Sequence, residues 1–140
     1  MNAPNVETVN EMIRDGFPSA WDSGARCERL ADGEALVRQV YRPEGNRPGG
    51  IIPGPTQFAV ADLAMWCAVF TRIGLEPMSV TSDLHIFFLR PAVGGDLLAR
   101  CRILRVGRSR IHGTVDVWVD GEPDRLVAHA VGAYSNPAAG

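Results

Sequence analysis

Twelve of the thirteen residues between positions 58 and 70 are apolar, and the exception is Asp62. A helix that is apolar on every face is buried rather than laid on a surface. Gly54-Pro55-Thr56 supplies a start, because proline suits the first helical turn. Gly74 supplies a stop, being a residue that ends helices readily. The pattern predicts a helix over residues 55–73. Nearer the N-terminus, Val6, Val9, Met12 and Ile13 recur at helical spacing. They predict a short amphipathic helix ended by Gly16 and Pro18.

The remaining apolar positions follow a period of two. Residues 26–30 and 34–41 read as strands joined by the turn Ala31-Asp32-Gly33. In the second of them Ala35, Val37, Gln39 and Tyr41 alternate against Leu36, Arg38 and Val40. Residues 43–50 form a loop rich in Gly and Pro. After Gly74 the pattern is strand-like to the end, with strands over 79–89, 96–106, 110–119 and 125–134. Turns separate these neighbours, which predicts an antiparallel meander. One buried helix with about six antiparallel strands is an α+β fold. A sheet curled around that helix and closed further by a second copy is the hotdog arrangement, and it predicts at least a dimer. No repeat or interior boundary divides residues 1–140, so one domain is expected, with residues 1–24 as an N-terminal helix and lead-in.

Composition narrows the function classes. The chain has 140 residues, 46% hydrophobic and 21% charged, with a formal net charge of -2. That balance gives no overall attraction to nucleic acid. Arg102, Arg105, Arg108 and Arg110 form a local basic cluster that suits a phosphate-bearing small molecule. Cys27, Cys67 and Cys101 are odd in number and far apart in sequence, so neither a metal motif nor a disulfide framework is indicated. Free thiols suit a reducing compartment. The polar N-terminus does not read as a signal peptide, and the longest apolar run is too short to span a bilayer. A cytoplasmic protein with no membrane partner is expected. His85, His112 and His129 are scattered on strands and read as structural or surface residues. No P-loop, GxGxxG, HExxH or GxSxG is present.

The motifs together resemble the hotdog thioesterases of the phenylacetic-acid-degradation (PaaI-like) type. The matching residues are Gly49-Gly50, Gly54, Phe58-x-x-Ala61-Asp62-x-Ala64, Ser79-Val80-Thr81, Phe88-Leu89-Arg90-Pro91-Ala92 with Gly95-Asp96, Gly107-Arg108, Ala128-His129-Ala130 and Ala133-Tyr134-Ser135. They run from Pro48 to Ser135, over half the chain. The family's His-Gly-Gly at the helix start reads Pro53-Gly54-Pro55 here. The resemblance implies an acyl-CoA thioesterase, with coenzyme A as part of the substrate and no cofactor. It also implies a homo-oligomer, a dimer or a dimer of dimers.

Thioester hydrolysis needs a base or nucleophile at the carbonyl carbon and a donor for the developing oxyanion. Asp62 is the candidate for the first role, as general base or as nucleophile. Burial is expected to raise its pKa. The competing reading is a structural carboxylate bonded to a loop N–H or a partner arginine. Gly54 is the candidate oxyanion donor, because helix N-termini expose free N–H groups; the alternative is a plain helix start. The family solution faces Gly54 of one subunit with Asp62 of the other. Thr81 falls where some members carry a serine that positions water, or it is an ordinary β-branched strand residue. Thr56 is expected to cap the helix or touch substrate. Asn46, Gly107 and the arginines Arg90, Arg108 and Arg110 complete the expected substrate contacts, the arginines through coenzyme A phosphates. A non-catalytic acyl-CoA binder on the same fold is the second reading, and an enoyl-thioester hydratase the third.

Overall fold

The computed structural model of the chain describes residues 4–137. The first three and last three positions of the expected domain lie outside the described residues. Helix α1 spans Val6–Gly16 and buries Val9 and Ile13 completely. Asn5 caps it in a reciprocal box with Thr8, which satisfies its first free N–H groups. A second short helix, α2 (Pro18–Asp22), follows at once. The sequence pattern did not foresee α2, because Pro18 that stops α1 also serves as its first residue.

Strands β1 (Ala25–Ala31) and β2 (Glu34–Gln39) form the expected hairpin, with Gly33 at positive φ in its turn. Helix α3 covers Gly54–Ile73 and ends at Gly74, also at positive φ. Four strands complete the sheet: β3 (Thr81–Phe88), β4 (Leu97–Val106), β5 (Arg110–Val119) and β6 (Ala128–Ser135). All pairings are antiparallel, in the order β1-β2-β4-β5-β6-β3. The sheet wraps α3, which packs mainly on β4, β2 and β5.

The simple meander is corrected by this order. β4, β5 and β6 do form one, but β3 pairs with β6 at the far edge. The connection from β3 to β4 is too long for a tight hairpin and contains Pro91 and Gly94-Gly95. It is tied to the loop before α3 instead, through Ile52 N–H donating to the Ala92 carbonyl at 2.8 Å.

α3 is not buried on all sides within one chain. Its residues Pro55, Phe58 and Ala59 are exposed, and Asp62 and Trp66 are partly so. These positions recur at helical spacing and form one open stripe. β3 is an unpaired edge carrying exposed Phe87 (53%) and Phe88 (52%). Such an edge leaves a row of backbone N–H and C=O groups without strand partners. All three cysteines are free and buried.

Candidate active site

Asp62 is the point where α3, β3 and β6 meet. The Thr81 hydroxyl donates to Asp62 Oδ1 at 2.7 Å. The buried Tyr134 hydroxyl lies 2.7 Å from the same oxygen and 2.9 Å from the Asp62 main-chain carbonyl. Oδ2 has no hydrogen-bond partner among the described residues. Asp62 lines a cavity of about 300 Å³ with Ala59, Leu63, Trp66 and Val80.

A β-bulge makes this arrangement. Leu84 and Ile86 face the core, so strict alternation along β3 would turn Thr81 outward with His85 and Phe87. The register slips between Thr81 and Asp83, which leaves Thr81 opposite Tyr134 and Leu84 opposite Gly132. One extra residue in a strand flips every position before it to the other face. Thr81 and Tyr134 therefore become a cross-strand pair on the inner face, both reaching Asp62. Gly132 permits the close approach, since a Cβ there would overlap the Asp83 carbonyl oxygen and come within 2.8 Å of Leu84 Cδ1.

The other expected residues fall in four places. Gly54 is the first residue of α3, where N–H groups lack intrahelical partners; its Cα faces the Phe88 ring, 3.2 Å from an ideal Cβ. Asn46 and Thr56 line a second cavity of about 370 Å³, larger than the one at Asp62, with Tyr41, Ile52 and Leu97. Ala59 borders both cavities. Asn46 donates to the Tyr41 hydroxyl at 2.8 Å. Thr56 is not the helix cap: Pro53 occupies that position and no side chain caps α3. Gly107 and Arg108 lie in the β4–β5 turn and Arg110 opens β5 just after it. That turn is joined to the strand ends beside Asp62, because Asn136 donates to the Gly107 and Ser109 carbonyls. Arg90 lies apart, with Pro91, Glu122 and Arg125. Asp62 and Gly54 are eight residues apart on one helix, about 12 Å along its axis, so one chain does not bring them together.

Residues 49–125 match the family model described as "Thioesterase superfamily". The chain belongs to the thioesterase superfamily. A candidate thioesterase structure from Silicibacter sp. TM1040 is 28% identical with a TM-score of 0.85, covering 95% of this chain and 92% of that one. The phenylacetic acid degradation protein PaaI of Thermus thermophilus, solved as a mutant, is 27% identical with a TM-score of 0.73, over 85% of this chain and 98% of that one. A candidate esterase of Saccharolobus solfataricus is 27% identical over 130 residues, 93% of this chain and 84% of its own length. Among the described residues no helix is long and apolar enough to cross a membrane.

For this member of the superfamily, sequence reasoning missed Tyr134 as a site residue. The motif Ala133-Tyr134-Ser135 was visible, but nothing local ties it to Asp62, which lies 72 positions away. It also missed a side-chain hydrogen bond remote from the site. The β5–β6 register sets His129 against Asp116, 13 residues away, with Nδ1 2.7 Å from Oδ1.

Proposed function

We propose that the chain hydrolyses the thioester of an acyl-CoA or acyl-carrier substrate, as an enzyme of the PaaI-like type. The carrying observation is the Asp62 carboxylate, with one oxygen held by Thr81 and Tyr134 and the other without a partner beside a cavity. In this reading Asp62 takes a proton from water, the water oxygen bonds to the carbonyl carbon, the C–S bond breaks, and the thiolate leaves and is protonated. Direct attack by Asp62, giving a mixed anhydride that water then cleaves, is the variant of the same chemistry.

The oxyanion donor is the Gly54 N–H of a second copy. The open stripe on α3 and the unpaired edge of β3 support this. A two-fold pairing of β3 with its own copy is antiparallel, so the Phe88 end, beside Gly54, meets the Thr81 end, beside Asp62. The same pairing carries Asn46, Thr56 and Arg90 of one copy toward Gly107, Arg108 and Arg110 of the other. The arginines are proposed to meet the coenzyme A phosphates.

The test is thiol release from a panel of acyl-CoA esters. Wild type turns over at least one ester, and Asp62→Asn lowers kcat by about 10²–10⁴-fold, the usual share of a positioned base. No release across the panel, or full activity in Asp62→Asn, overturns the proposal. Pro53 at the place of the family's histidine favours a second reading, an acyl-CoA binder without turnover. Calorimetry separates the two: binding without thiol release supports the binder.

A further inference from the structure

Tyr134 is 4% exposed and sits among apolar residues of the core. A phenylalanine would fill that space without bringing a polar group into it. Burying a hydroxyl is unfavourable unless it finds a partner. Here two contacts tie it to one residue, the Asp62 side chain at 2.7 Å and the Asp62 main-chain carbonyl at 2.9 Å, and it also shares a hydrogen bond with the Thr81 hydroxyl. The second contact anchors the phenol to the backbone of α3, and the first fixes the carboxylate relative to that anchor.

The terminal torsion of an aspartate is otherwise soft. Exchanging Oδ1 for Oδ2 would require Thr81 and Tyr134 to release together. Thr81 alone cannot hold it as firmly, because it is exposed on the edge strand. We propose that Tyr134 is a positioning residue for the Asp62 carboxylate, determining which of its oxygens is presented to the thioester. The inference rests on the proposed hydrolysis at Asp62. Burial, and next the charge of Asp62, push the pKa of the phenol above the ordinary tyrosine value. Tyr134 therefore remains a protonated donor at assay pH and does not itself shuttle a proton.

The experiment compares wild type with Tyr134→Phe, which keeps the ring and removes only the hydroxyl. Kcat falls roughly 10–100-fold, the size expected when a reacting group loses its alignment, while KM stays close to wild type. The acid limb of log kcat against pH moves to higher pH, because a hydrogen bond to the charged form has gone. A purely structural role would leave that limb in place. Wild-type kcat with an unmoved acid limb in a folded Tyr134→Phe protein overturns the inference.

A second measurement separates this outcome from failure of the hydrolase reading. Crystal structures of wild type and Tyr134→Phe are compared at the Asp62 side chain. A carboxylate that rotates or splits between two conformers in Tyr134→Phe supports the positioning role even if no ester is hydrolysed. A carboxylate that keeps its wild-type orientation in a single conformer overturns it.

Discussion

Replacing Gly132 with alanine tests how the bulge holds Thr81 and Tyr134 on Asp62. The new methyl group would overlap the Asp83 carbonyl oxygen and lie 2.8 Å from Leu84 Cδ1 and 3.1 Å from Leu84 Cα, against 3.4–4 Å for ordinary contact. Two of these three atoms are backbone, so the strain is not relieved by turning one side chain. Overpacking of this kind costs about 1–3 kcal/mol, and the backbone obstruction places it near the upper end. Loss of glycine freedom in the unfolded chain returns about 0.4–1 kcal/mol. The net loss is about 2 kcal/mol, roughly 6 °C in Tm at this chain length.

Thermal and urea unfolding read the change, with Gly16→Ala as control. Gly16 ends α1, has no atom near the added methyl group, and is not at positive φ. It should be neutral or slightly stabilised. Gly132→Ala should also lose thioester turnover beyond its loss of stability, because β3 must move away from β6 and carry Thr81 with it. If Gly132→Ala is as stable as Gly16→Ala, the close approach at the bulge is refuted.

Phe58 is 38% exposed on the open stripe of α3. Phe58→Asp puts a charge where the second copy is proposed to pack, and sedimentation should show a shift from dimer to monomer; an unchanged dimer would remove the stripe from the interface. Burial pushes the Cys101 thiol from 9.0 up to about 12. The folded chain thus keeps a proton that the unfolded chain loses above pH 9, and stability is full below pH 9 and declines up to pH 12. The slope is about 1.4 kcal/mol per pH unit for one such group. Urea midpoints taken through that window should fall less steeply in Cys101→Ala, and equal slopes would contradict the assignment.

Local pattern was enough for several elements because each is stabilised by its own spacing. The α1 stripe of Val9 and Ile13, the Gly33 turn and the apolar run of α3 all appear where period and punctuation place them. Asp62 was legible for the same reason: one carboxylate in an apolar helix needs a use or a partner. Position along the sheet was not legible, because strand neighbours are chosen by packing and not by sequence order. β3 went to the edge beside β6, and only there does Thr81 meet Tyr134. Alternation alone would have turned Thr81 to the outside, and a bulge beside a glycine reversed it. What the chain alone determined was which residues are apolar, which turn and which carry charge. The tertiary structure decided which oxygen of Asp62 is held, because that depends on two hydroxyls from strands that are distant in sequence and adjacent only in the folded sheet.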